Sequence, residues 1–281
     1  MRGAGSLPWP LRTFSAVVHA LLALLTRREY RNVSKLPRQG GYILVANHLC
    51  SFDAVTLLDL TLRNGIIPRI AARHTLWNVP LLGWAMRYMR HIPVQRGAGK
   101  GEQVVDAFCE AIEDGGILVV FPEGTTTADP DYWPMTGKTG VAKVALRTRC
   151  PIIPIAQWGN QYFLPRYSYV PRIFSNPRLQ LRVLDPVNYD DLTEYSHDNV
   201  VALTDRIMAT IRAGVGELRG ETPPPLVYDM RLQGSPWESE PHRQIRRIDR
   251  KIIRNTKKRD RHHRRANQAA LKAKNHVKDL K

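Results

Sequence analysis

Along the chain, short apolar runs alternate with segments in which apolar residues recur at helical spacing. YILVAN at 42–47 precedes a helix near 53–63, IPRIAA at 67–72 precedes one near 80–90, and HIPV at 91–94 precedes one over 102–114. ILVVF at 117–121 leads on to a helix over 139–148, and IIPIA at 152–156 follows. LQLRVL at 179–184 reads as a further strand, after which Val200, Leu203, Ile207 and Ile211 keep helical spacing up to a stop near Gly214 and Gly216. Runs that are apolar throughout, rather than alternating, mark strands buried on both faces. The rhythm predicts an α/β fold, a mainly parallel, mixed sheet flanked by helices, with ligands beyond the carboxyl ends of the strands.

The two ends of the chain follow different patterns. FSAVVHALLALL at 14–25 is shorter than the roughly 20 apolar residues a membrane-crossing helix requires, and it runs into Thr26-Arg27-Arg28-Glu29 with no small-residue cleavage site. It is expected to be retained, either as an ordinary packed helix or as an interfacial one. In the second case Phe14, Val17, Val18, Leu21, Leu22 and Leu25 form the buried stripe, and Arg12, Arg27 and Arg28 meet headgroups. Six prolines and glycines between 221 and 241 favour an extended linker. The expected organisation is an N-terminal membrane-associating segment over 1–32, a main domain over 33–220, a linker over 221–241, and a tail over 242–281 that is helical or disordered.

Charge sharpens the reading of that tail. The 281 residues carry a net +17, and residues 241–281 alone hold 16 Lys or Arg against three acids, which leaves only +4 for the remainder. A basic segment attracts either nucleic-acid phosphates or anionic lipid headgroups, and charge does not choose between them. Cys50, Cys109 and Cys150 are odd in number and widely spaced, so neither a disulfide framework nor a zinc site is indicated.

Candidate chemistry sits where strands end. Asn47-His48-Leu49-Cys50-Ser51-Phe52-Asp53 joins the first strand to a helix, and places an imidazole and a carboxylate five residues apart. On a continuous helix those side chains would diverge by about 140°, whereas a turn capped by Ser51 puts Asp53 in the first helical turn, where the helix dipole favours a carboxylate. A carboxylate on Nδ1 would orient the ring and leave Nε2 to take a proton from a substrate hydroxyl. The pair alone is equally compatible with a capped turn. Phe121-Pro122-Glu123-Gly124-Thr125-Thr126-Thr127 follows ILVVF at the same sheet edge, and its glycine, hydroxyls and N–H groups can hold a phosphate or merely end a strand.

Together, in this order and at this interval, the two blocks resemble the 1-acylglycerol-3-phosphate (lysophosphatidic acid) acyltransferases, whose hallmark is Asn-His, four residues and Asp, then Phe-Pro-Glu-Gly-Thr. Pro93-Val94-Gln95-Arg96, following Arg73, is similar to the family's second block, and Ile152-Ile153-Pro154-Ile155 to its fourth. The likeness is close over residues 33–160. It implies that His48 and Asp53 are catalytic and that Arg73, Arg96, Glu123, Gly124, Thr125 and Lys138 bind the acceptor and its phosphate. Thr126 stands where the family often has Arg, and Arg73 where it often has Lys; Arg73, Arg96 and Lys138 are the cations available in compensation.

The resemblance implies transfer of a fatty acyl group from acyl-CoA, or from acyl carrier protein, to a lysophospholipid hydroxyl. It implies no metal and no cofactor beyond acyl-CoA as substrate, with the chain held on the cytoplasmic side of an anionic membrane surface. Glycerol 3-phosphate, a glycolipid or another lysolipid are alternative acceptors. A hydrolase would use the same pair, but the chain lacks a Gly-x-Ser-x-Gly elbow. Nucleic acid is expected only as an incidental partner of the tail. Trp77, Trp84, Trp133, Trp158 and Tyr162 lie near these blocks and suit either lipid contact or the core.

Overall fold

The apolar runs that begin at residues 42, 117 and 152 become the middle of one sheet, but their neighbours are drawn from far along the chain. The computed structural model describes residues 7–94, 101–234, 249–262 and 265. Strands β1 (Arg27–Arg31), β2 (Tyr42–Ala46), β3 (Pro68–Arg73), β4 (Ile92–Val94), β5 (Ile117–Val120), β6 (Ile152–Trp158) and β7 (Arg178–Val183) lie in the order β1-β7-β6-β2-β5-β3-β4. Every pairing is parallel except β6 against β7. This is the expected mixed, mainly parallel sheet. Its helices are α1 (Trp9–Leu25), α2 (Asp53–Arg63), α3 (Pro80–Tyr88), α4 (Gly101–Glu113), α5 (Gly140–Thr148), α6 (Asn160–Phe163), α7 (His197–Arg219), α8 (Met230–Gln233) and a further one, α9, over 249–262.

Because successive strand residues point to opposite faces, one run of apolar residues feeds two cores. Ile43, Val45, Leu118, Ile152 and Ala156 pack with residues of α4, α5 and α7, while Tyr42, Leu44, Ala46, Val119, Ile153 and Ile155 pack with α2. The carboxyl ends of β2 to β6 share one edge, and the antiparallel β7 begins there. So does β1, which pairs with β7 from Arg27 opposite Arg178.

Local signals mislead at two places. α7 does not stop at Gly214 and Gly216 but runs on to Arg219, and Gly220 (φ 68°) ends it. The two glycines serve close packing: a Cβ on Gly214 would lie 2.6 Å from Leu184 Cδ1, and one on Gly216 would lie 2.7 Å from the Glu221 carbonyl oxygen. Arg27-Arg28-Glu29-Tyr30-Arg31 has no apolar pattern, yet it is a strand, because β7 supplies its hydrogen-bond partners and its charges protect the sheet edge.

α1 lies against α2 and β1, where Asp59 of α2, buried, accepts from Arg28 (2.8 Å) and Tyr30 (2.7 Å). Trp9, Phe14, Val17, Leu21 and Leu24 point outward, whereas Leu11, Ser15 and Leu22 are buried, so Leu22 drops out of the expected outward stripe and Leu24 enters it. Among the described residues, no helix is long and apolar enough to cross a membrane.

α9 opens the basic tail with an inner face that is acidic. Asp249 accepts from Tyr132 Oη and from Arg166 Nε (2.9 Å), Asp260 accepts from Trp158 Nε1 (2.7 Å) and Tyr162 Oη, and Ile253 is buried between them. Arg250, Lys251, Arg254, Lys258 and Arg261 face outward. Asp249→Ala would leave the buried Arg166 guanidinium without its carboxylate, a loss worth about 3–5 kcal/mol for such pairs. Urea denaturation should register that destabilisation, and a midpoint equal to the parent's would show that the pair contributes nothing.

Candidate active site

Between β2 and α2 the chain turns sharply enough to bring residues 48 and 53 face to face. Ser51 makes no cap; the helix starts from Phe52 without a side-chain bond, and the Asp53 carboxylate folds back to take the free N–H groups of the turn instead. Its Oδ2 accepts from the backbone of Leu49 and Cys50 and lies 2.9 Å from His48 Nδ1. Asp53 is wholly buried, while the His48 side chain is 18% exposed and stacks on Phe121 at 4.1 Å. With Nδ1 held by a carboxylate, Nε2 is the nitrogen left for a reacting proton.

The second turn braces the first. Glu123 is buried with both oxygens on backbone donors, Oε1 from His48 N (2.8 Å) and Oε2 from Met135 N (3.1 Å), and Thr127 N donates to the His48 carbonyl (2.8 Å). Glu123 therefore faces inward and grips the main chain of His48, in place of the acceptor contact expected of it. Burial raises its pKa to about 8, against the two N–H bonds that lower it. Gly124, at φ +71°, adopts a conformation that disfavours side chains, and a Cβ there would fall 2.8 Å from Lys138 Cε and 3.0 Å from Nζ. The Lys138 ammonium thus lies over Gly124 in the Glu123–Thr125 turn. Thr125 and Thr126 are half-buried in the same turn.

A third layer was not read from the sequence. Asn47 clamps the end of β2 to the end of β6, donating to Gln157 O (3.0 Å) and accepting from Gln157 N (2.9 Å). Asn160 donates to Asp53 Oδ1 (2.8 Å), Thr56 Oγ1 (3.0 Å) and Gln157 Oε1 (3.1 Å). Asp53 is thereby held on both oxygens. The available signal was a pair of amides, Gln157 and Asn160, at the end of an otherwise apolar strand, where the sheet edge predicts ligands.

The acyltransferase family model, described as "Acyltransferase", matches residues 27–158. The chain is 31% identical over 195 residues to mouse 1-acyl-sn-glycerol-3-phosphate acyltransferase alpha, covering 68% of this chain and 64% of that protein. To the human protein of the same name it is 30% identical over 184 residues, covering 64% and 61%. The chain thus spans somewhat less than two thirds of the length of these relatives. The chain belongs to the acyltransferase family. Its fold is also that of the crystal structure of the 1-acyl-sn-glycerophosphate (LPA) acyltransferase PlsC from Thermotoga maritima, with a TM-score of 0.60 and 21% identity over 75% of this chain and 80% of that one.

In this chain the remaining expected residues are spread more widely. Arg73 ends β3, exposed, at the same sheet edge but two strands from β2. Arg96 lies outside the described residues, two positions beyond the end of β4. Trp133, Trp158 and Tyr162 are core residues, whereas Trp84 is exposed on α3. Arg166, beyond the family match, is buried and donates to the carbonyls of Thr127 (2.7 Å) and Asp129 (2.9 Å) while stacking on Tyr132. Through Asp249 it ties the segment after the Glu123 turn to α9.

Two tests follow from this geometry. Asn160→Ala removes the amide donor on Asp53 Oδ1, and a buried acceptor so stripped costs about 1–3 kcal/mol. Turnover should fall about tenfold or more with KM little changed, and an unaltered rate would separate Asn160 from the site. Glu123 holds its proton to about pH 8 when folded, whereas the unfolded chain releases it in the ordinary glutamate range. The folded state then binds more protons, so this group's contribution to stability is full at low pH and declines as the pH rises towards 8. Thermal melts of the parent and of Glu123→Gln, which cannot ionise, should converge over that interval; parallel curves would contradict the assignment.

Proposed function

We propose that this acyltransferase moves a fatty acyl group from acyl-CoA to the free hydroxyl of a lysophospholipid, with 1-acylglycerol 3-phosphate as acceptor and phosphatidic acid as product. The observation that carries the reading is a His48–Asp53 pair at 2.9 Å on the same sheet edge as a glycine turn overlaid by the Lys138 ammonium. A general base and a cation for an acceptor phosphate are what this reaction needs. The names of the relatives support the same acceptor.

In the proposed mechanism the acceptor hydroxyl gives its proton to His48 Nε2 as its oxygen attacks the thioester carbonyl carbon. Asp53 stabilises the imidazolium that forms. The tetrahedral intermediate collapses with cleavage of the carbon–sulfur bond, and the thiolate recovers the proton from His48. Its oxyanion needs pre-aimed donors. In the 123–127 turn, the N–H groups of Gly124 and Thr127 are committed to Phe121 and His48, so those of Thr125 and Thr126 are assigned to it. Lys138 takes the role that the family often gives to Arg at position 126, with Arg73 and Arg96 as further phosphate cations. Acyl carrier protein is the alternative donor.

The acceptor is a lipid, and the outward apolar face of α1 suits the interface of an anionic membrane on its cytoplasmic side. Purified protein given acyl-CoA and a panel of lysolipids should yield diacylated product by mass spectrometry, greatest with the phosphate-bearing acceptor; free fatty acid without acylated lipid would overturn the reading. His48→Ala and Asp53→Asn should each lower kcat by at least about a hundredfold. Lys138→Ala should instead raise KM for the phosphorylated acceptor and reduce its advantage over a neutral monoacylglycerol, and an unchanged preference would remove Lys138 from that role.

A further inference from the structure

The connection from α6 to β7 carries large apolar side chains of a kind rarely left in water: Tyr169, Val170, Ile173 and Phe174 are exposed, Tyr169 at 87%, Val170 at 71% and Phe174 at 96%. The loop backbone is nevertheless built. Ser168 N donates to Pro165 O, Arg172 N to Phe163 O and Ser175 N to Arg172 O. A tied loop that turns its large apolar side chains outward has the form of a contact surface.

Its surroundings identify the partner. The loop lies at the carboxyl edge of the sheet, because β7 begins where β6 ends. Its one-turn helix Ile173–Ser175 lies against α1, and Pro177 O accepts from Arg27 N just after α1 ends. Leu21 and Leu24, exposed near the end of α1, thus belong to the element that adjoins this loop. The charges that flank the loop are basic: Arg27 and Arg178 are exposed and opposite one another in β1 and β7, and Arg172 lies near the exposed Arg250. The nearby acids are engaged, Glu29 by Arg31 and Arg178, and Asp249 by Arg166. Apolar and aromatic side chains ringed by arginine complement an anionic bilayer, with rings at the interface and guanidinium groups at the phosphates.

We infer that residues 169–174 are a second membrane-inserting element, which enters an anionic bilayer beside α1 and fixes the orientation of the sheet edge that carries His48. The inference rests on the reading of α1 as a bilayer-facing helix, and adds a contact that α1 alone does not provide. A single helix leaves the body free to roll about its axis; a second point of insertion on the β7 side removes that freedom. α6, from which the loop leaves, opens with Asn160, whose amide holds Asp53, and closes with Phe163, which packs on Phe52 beside that aspartate. Insertion thus takes place one element away from the His48–Asp53 pair.

The test is co-sedimentation with vesicles of equal parts phosphatidylglycerol and phosphatidylcholine. Tyr169→Ser/Phe174→Ser should weaken binding at least tenfold, while Val201→Ser, an exposed apolar position on α7, should leave it unchanged. Turnover of a short-chain lysolipid dispersed below its micelle concentration should stay at the parent level. Binding by the double variant equal to the parent's would overturn the inference. Leu21→Ser/Leu24→Ser separates the two readings: if that variant alone loses binding, α1 docks and the loop does not; if the loop variant alone loses binding, the loop docks and the reading of α1 fails. A second readout does not depend on loss of binding. An environment-sensitive fluorophore on Phe174→Cys should shift to the blue when vesicles are added, and unmoved emission would equally refute insertion.

Discussion

A carboxylate taken wholly out of water must find donors for both of its oxygens, and the way Asp53 finds them organises the site. Two come from the backbone of its own turn, one from the His48 ring and one from Asn160. The first two force the chain to reverse between β2 and α2; the third orients the imidazole; the fourth requires β6 to end beside β2. The Asn47–Gln157 clamp meets that last requirement. Removing the carboxylate would therefore release a turn, a ring and an inter-strand contact together.

Glu123 is equally buried, yet it has a different task. It holds the main chain of His48 and of Met135 rather than a side chain, and its environment pushes its pKa up. One acid thus orients the His48 ring, while the other positions the backbone that bears it. The imidazole is constrained from below by Asp53, along its main chain by Glu123 and Thr127, and across its face by Phe121. A general base works by geometry before basicity, so such redundancy has a direct chemical value.

The same logic extends to the end of the chain. α9 divides its charges, with two aspartates buried against Arg166, Tyr132, Trp158 and Tyr162, and arginines and lysines outward. Arg166 passes the constraint on to Thr127 and Asp129, one residue from the turn that carries Thr125 and Thr126. A segment that reads as a basic appendage thereby supports the loop that carries Thr125 and Thr126. Its exposed Arg250 lies near Arg172 of the loop that carries the apolar residues 169–174.

What the sequence determined by itself was whatever depends on neighbours within a few residues. The apolar runs identified the central strands, helical spacing located α2, α4 and α5, and the five-position separation of His48 and Asp53 sufficed to suggest a turn that joins them. Only the tertiary structure decided the rest, because burial and pairing are set by segments distant in the chain. Arg27–Arg31 becomes a strand through β7, about 150 residues later; Gly214 stays helical because Leu184 and Ala156 need the space; Asn160 reaches Asp53 across 107 positions. Glu123 faces inward for the same reason: the N–H groups it satisfies, His48 and Met135, belong to loops that only folding brings together.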